Sequence, residues 1–150
     1  MSSLIVVDTS CLIGLDKIGK LVLLPALFDK VLIPPAVFLE FGIEAPFAEL
    51  VSPKDVDLVK AIGFQLGGGE SEAIALALEM KSPIILDDRR ARAVGERMGL
   101  ACIGTVGVLM RAKLKNLTPS LKQCLDDLER RGFYVSQSVK EQALRLVGEK

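Results

Sequence analysis

Histidine and tryptophan are both missing from this 150-residue chain, and tyrosine occurs once. Without an imidazole the commonest general acid or base is excluded, and so is any zinc site that needs histidine. Cysteine is scarce: Cys11, Cys102 and Cys124 form an odd set with no Cys-x-x-Cys spacing. That pattern points to a reduced, cytoplasmic protein with three mostly buried thiols. No apolar run reaches the roughly 18 residues of a membrane span, so no membrane contact is expected. The N-terminus lacks the basic start and the cleavage site of a signal peptide, and Asp8 interrupts its apolar run.

Half of the residues are hydrophobic. With so few aromatics the core must come from Leu, Ile, Val and Ala. This length favours one domain over 1–150, which would bury about 70% of its unfolded surface. Net charge is zero but unevenly spread. Residues 1–88 hold 13 acids and 6 bases; residues 89–115 hold 7 bases and only Glu96. A basic segment directly after Asp87-Asp88 suits a polyanion lying across an acidic site. Solvated helix faces would give the same pattern.

The greasiest stretches end in acids. Leu4-Ile5-Val6-Val7 stops at Asp8, and Ile84-Ile85-Leu86 stops at Asp87-Asp88. Such runs read as parallel strands buried on both faces, and a carboxylate at the far end sits where open α/β sheets bind ligands. Strands are expected at about 4–8, 31–33, 83–87 and 101–103, in sheet order 2-1-3-4 by that count. The switch point then falls between the two strands that end in aspartate. Helices are expected after Thr9 or Ser10 to Ile18, from Lys20 to Phe28, and from Pro35 with Glu40 and Glu44 on one face. Further helices are expected over Pro53–Ile62 with Val56, Val59, Ala61 and Ile62 inward, and over Glu70–Met80, Arg89–Met98 and Thr105–Lys115. The last two start at Thr118-Pro119 and Ser138, so that 118–150 supplies C-terminal helices packed on the domain. Residues 45–53 read as loop, and Gly67-Gly68-Gly69 as a flexible joint; no Gly-Lys-Ser/Thr follows to make a phosphate loop.

Asp8, Glu40, Glu72 and Asp88, with Glu70 and Asp87 beside them, would repel one another in one pocket and require a cation. Hard oxygen donors suit Mg²⁺ or Mn²⁺, which supports phosphodiester hydrolysis without histidine. Taken singly, Asp8 could be a helix cap, Glu40 a surface acid and Glu70 a partner for its helix dipole. Glu72 is harder to dismiss, because Ala73-Ile74-Ala75-Leu76-Ala77 follows it. Residues 70 and 72 point about 200° apart on a regular helix, so one site cannot use both. One of Asp87 and Asp88 could face the site while the other caps the basic helix.

Together these segments resemble the PIN-domain family, in the broad group of VapC-like metal-dependent ribonuclease toxins. The resemblance rests on Val7-Asp8-Thr9-Ser10, the acid in Pro35-Ala36-Val37-Phe38-Leu39-Glu40, Glu72-Ala73-Ile74-Ala75-Leu76-Ala77, Asp87-Asp88-Arg89-Arg90-Ala91-Arg92, and Ile103-Gly104-Thr105-Val106-Gly107-Val108-Leu109. It implies a three-layer α-β-α sandwich around a parallel four- to five-stranded sheet. It implies Asp8, Glu40, Glu72 and Asp88 as catalytic metal ligands, with Asp87 and Glu70 as alternates. Thr9, Ser10 and Thr105 would be positioning hydroxyls, and Arg89, Arg90 and Arg92 RNA contacts. The activity implied is Mg²⁺- or Mn²⁺-dependent RNA cleavage by a cytoplasmic toxin, dimeric and restrained by a small antitoxin. One departure is Leu86, where the family often carries a hydroxyl two residues before its fourth acid. A rival from another class is a catalytically inert module of the same fold that binds nucleic acid or protein. A haloacid-dehalogenase-like phosphatase would want an aspartate where Ser10 stands, and a receiver domain would want its acid pair near the first strand.

Overall fold

A computed structural model describes residues 3–149. Met1, Ser2 and Lys150, the ends of the expected 1–150 domain, lie outside the described residues. In chain order the elements are β1 (Leu4–Val7), α1 (Thr9–Lys17), α2 (Leu23–Leu27), β2 (Lys30–Ile33), α3 (Pro35–Phe41), β3 (Ala48–Leu50) and α4 (Val56–Gly63). Then come α5 (Gly68–Met80), β4 (Ile84–Ile85), α6 (Arg89–Arg97), β5 (Cys102–Ile103), α7 (Thr105–Leu114), α8 (Leu121–Arg130) and α9 (Gln137–Leu146).

All five strands are parallel, in the order β3-β2-β1-β4-β5. The chain builds outward from β1 to β2 and β3, then returns to β4 on the other side of β1. The reversal leaves a crevice beyond the C-terminal ends of β1 and β4, where Val7 pairs with Ile85. Ile5, Val6, Val7, Ile84 and Ile85 are wholly buried, as expected for strands covered on both faces. The four anticipated strands keep their order.

The fifth strand corrects the loop expected over 45–53. Ala48–Leu50 pairs with Val31, Leu32 and Ile33 at the sheet edge. Only three residues long, with Glu49 and Leu50 exposed, it carries no buried run by which to announce itself.

Helices flank the sheet in two groups. In the first, α5 packs on β1 and β4 and contacts α3 and α4. Its Ala73, Ile74, Ala75, Leu76 and Ala77 are all buried, which explains an apolar sequence with little amphipathic contrast. In the second, α7 contacts α1, α2, α8 and α9. The stripe Leu121, Cys124, Leu125 and Leu128 of α8 is buried, as its spacing predicts. Glu149 closes this end: its carboxylate accepts from the Leu121 and Lys122 amides at 2.6 and 3.1 Å, and Lys113 Nζ lies 3.4 Å away.

Several helix boundaries differ from expectation. Gly42 takes φ +69° and ends α3 at Phe41, so Glu44 is not on the helix with Glu40. Helix α4 starts at Val56 behind Asp55, and Val56 and Ala61 are exposed while Ile62 is buried. Ser120, rather than Thr118, caps α8 by accepting from the Gln123 amide at 3.1 Å. Ser136, rather than Ser138, caps α9. Gly68 and Gly69 form the first turn of α5 instead of a flexible joint. Cys11 and Cys124 are buried and Cys102 half-buried, all three as free thiols. Among the described residues no helix is long and apolar enough to cross a membrane.

Leu125 is fully buried on α8, so Leu125→Ala should cost roughly 2–5 kcal/mol. A drop in the urea midpoint at unchanged slope is the expected reading.

Candidate active site

The crevice opens into a cavity of about 950 Å³. Five carboxylates line it: Asp8 after β1, Glu40 from α3, Glu70 from the first turn of α5, and Asp87 and Asp88 after β4. Helices α1, α5, α6 and α7 all begin at this edge, at N-cap positions Asp8, Gly67, Asp88 and Gly104. Their N-terminal dipoles offset part of the negative charge.

Asp8 lies deepest, with only 5% of its surface exposed. Its side chain makes no capping hydrogen bond to α1, which removes the simple cap reading. Burial pushes its carboxyl from an ordinary 3.8 up to about 7. The Thr9 amide opposes that rise, while the charges of Glu70, Glu40 and Asp87 add to it. Glu70 is also raised, first by burial and then by Asp88 and Glu40, against a lowering contact with Gly67. Both shifts report one crowded negative notch.

The neighbouring acids are held by short-range contacts. Thr9 Oγ1 donates to Glu40 Oε1 at 2.8 Å. Asp87 accepts three bonds: from the Thr105 amide at 2.7 Å, from Thr105 Oγ1 at 2.6 Å and from Ser10 Oγ at 3.1 Å. Thr9 and Ser10 thus hold Glu40 and Asp87, not Asp8. Thr105 is wholly buried and, one residue past the N-cap Gly104, presents both its amide and its hydroxyl to Asp87. Hydroxyl donors therefore reach this strand end from α1 and α7, while Leu86 is buried and its carbonyl accepts from Arg92 at 3.3 Å. Asp88 caps α6 through the Ala91 amide at 2.9 Å and still faces the cavity. One residue thus does both jobs that had been divided between Asp87 and Asp88.

The acid from α5 on the cavity wall is Glu70. Glu72 lies off that wall; its Oε1 accepts from the Ala36 amide at 2.9 Å and so caps α3 from the neighbouring helix. Arg89 and Arg92 line the cavity, whereas Arg90 is exposed away from it.

Sequence reasoning missed Gly69. A Cβ there would stand 2.0 Å from Glu40 Oε1 and 3.3 Å from Thr9 Oγ1, so the absent side chain makes room for the Glu40 carboxylate. The glycine run was visible, but its meaning depends on α3 crossing there. Also missed was the far wall, Gly132 to Ser136 between α8 and α9.

The donor set consists of carboxylate oxygens, with no histidine in the chain. That chemistry fits a hard divalent cation, which would also offset the charges of Glu70, Glu40 and Asp87 that add to the effect of burial on Asp8. Among the described residues no group of three or more acids or cysteines is placed to hold a metal ion. An ion that keeps much of its water shell, as Mg²⁺ does, needs only one or two direct carboxylates.

A family model described as PIN domain matches residues 4–149. No curated protein matches the chain.

Two expectations follow. Gly69→Ala should leave melting temperature equal or higher, since alanine favours helix over glycine, yet weaken Mn²⁺ affinity by displacing Glu40; calorimetry of both quantities checks this. Asp8 binds a proton more tightly folded than unfolded. Its stabilising contribution is therefore complete below 3.8 and lost as pH rises through about 7. In chelator, Asp8→Asn should flatten the fall in melting temperature across that window.

Proposed function

The chain belongs to the PIN-domain family, and on that premise we propose that it hydrolyses RNA phosphodiesters with Mg²⁺ or Mn²⁺ held among its carboxylates. PIN domains are in general nucleases that use divalent metals. The observation that carries the reading is the gathering of acids from β1, α3, α5 and β4 around a buried Asp8 whose carboxyl is pushed up to about 7. Such crowding is costly without a cation and is the mark of a functional site.

Asp8, Glu40, Glu70 and Asp88 would hold the ion, directly or through water, with Asp87 beside them. Glu70 takes the place that the resemblance assigned to Glu72. A bound ion supplies positive charge against the phosphate oxygens and makes a nearby water more acidic. The chain's own groups do the rest. Thr9 keeps Glu40 turned inward, and Ser10 and Thr105 fix Asp87. Arg89 and Arg92 face the backbone phosphates. Glu70, on the cavity wall, would hold the ion through a water and accept the proton that this water gives up as its oxygen bonds to phosphorus. The phosphorus–oxygen ester bond breaks, and the leaving oxygen takes up a proton.

The finer biological reading is a cytoplasmic toxin, homodimeric and restrained by a small antitoxin. Its support is the family resemblance, joined by three free thiols that suit a reducing compartment. The second reading, an inert module that binds nucleic acid or protein, draws on the open spacing of the acids. Absence of Mn²⁺ binding at millimolar concentration would favour it.

Asp8→Asn and Asp88→Asn should each lower Mn²⁺-dependent cleavage of an RNA substrate at least about 100-fold, with circular dichroism unchanged. An asparagine oxygen can still cap α6 at position 88. Either variant cutting at the parent's rate would end the mechanism.

A further inference from the structure

The cavity that holds the acids is also lined by an aromatic ring that no step of the proposed hydrolysis uses. Tyr134 lies between α8 and α9, lines the same cavity and is 85% exposed. Its neighbours are not exposed. Phe133 packs against Gly14 of α1, where a Cβ would come within 3.1 Å of the ring. Val135 is buried at 7% exposure. Gly132, at φ +91°, turns the chain out of α8, and the Phe133 amide bonds back to the Leu128 carbonyl at 3.0 Å. The segment is thus pinned on both sides of the one residue that projects. A ring held out on a fixed segment offers a flat apolar face with a polar tip to whatever enters the cavity. It shares the cavity with the five acids and with Arg89 and Arg92.

We propose that Tyr134 is a stacking platform for one unpaired base next to the cut phosphate. The inference rests on the ribonuclease reading above. Aromatic faces recognise splayed-out bases with little sequence preference, and a paired base is already stacked and cannot reach the ring. Backbone phosphates would be held by the arginines, which leaves the ring to position the strand rather than take part in the chemistry.

The chain offers its own probe, because Tyr134 is its sole tyrosine and tryptophan is absent. The parent, Tyr134→Ala and Tyr134→Phe are compared on a single-stranded oligoadenylate and on its duplex with oligouridylate, under Mn²⁺. Tyr134→Ala should raise KM for the single strand roughly tenfold with little change in kcat, and Tyr134→Phe should keep the parent's KM. Titrating the single strand into the full-length Asp8→Asn chain should quench tyrosine fluorescence, and the duplex should not. Equal KM for all three chains, with no quenching, would overturn the stacking role while leaving the nuclease standing; a ring that anchors a protein partner gives this result. A parent that neither binds nor cuts RNA would overturn both. Quenching by the duplex equal to that by the single strand would overturn the unpaired-base reading.

Discussion

Repulsion among carboxylates at one edge of a parallel sheet is the constraint around which the rest of this molecule is arranged. Five acids line one cavity, and burial, with the charges of Glu70, Glu40 and Asp87 added, pushes the carboxyl of the deepest up to about 7. A fold tolerates such a cluster only with compensation. Four helices begin at the same edge and turn their N-terminal dipoles toward it. Hydroxyls of Thr9, Ser10 and Thr105 supply neutral donors. Under the proposed function, the charge left uncompensated is what a bound cation would offset.

The topology makes this arrangement possible. Because β4 returns to the opposite side of β1 from β2, the loops after β1 and β4 diverge and open a crevice. Helices α3 and α5 then bring Glu40 and Glu70 in from the side. Gly69 sets how close those two helices can place their acids, since its missing side chain is filled by the Glu40 carboxylate. Distance along the chain is irrelevant to the site; the sheet order brings position 8 and position 87 together.

Much of this was legible in the amino-acid sequence, and the parts that were not have physical causes. Strands β1 and β4 announce themselves because both faces are buried, which forces unbroken apolar runs ending in Asp8 and Asp87-Asp88. Edge strand β3 is hidden because Ala48-Glu49-Leu50 has one pairing partner and little burial. Glu72 was preferred over Glu70 because the Ala-rich run follows it directly. The helix actually starts at Gly68, so Glu70 falls in the first turn facing the crevice, while Glu72 turns toward the start of α3. Tyr134 carried no local signal at all: its place on the cavity wall follows from how α8 docks, which no short motif encodes.

The grip on Asp87 has an implication of its own. A carboxylate offers about four lone-pair directions, and three are already taken by Thr105 and Ser10. Asp87 is therefore less a ligand in waiting than a rivet, joining the first turns of α1 and α7 to the end of β4. An amide in its place would keep the bond from the Thr105 amide but would have to donate to the Ser10 and Thr105 hydroxyls, reversing both of those bonds. Of the two adjacent aspartates, the inner one belongs to the architecture as much as to the chemistry, and the outer one retains the freedom to engage whatever enters the cleft.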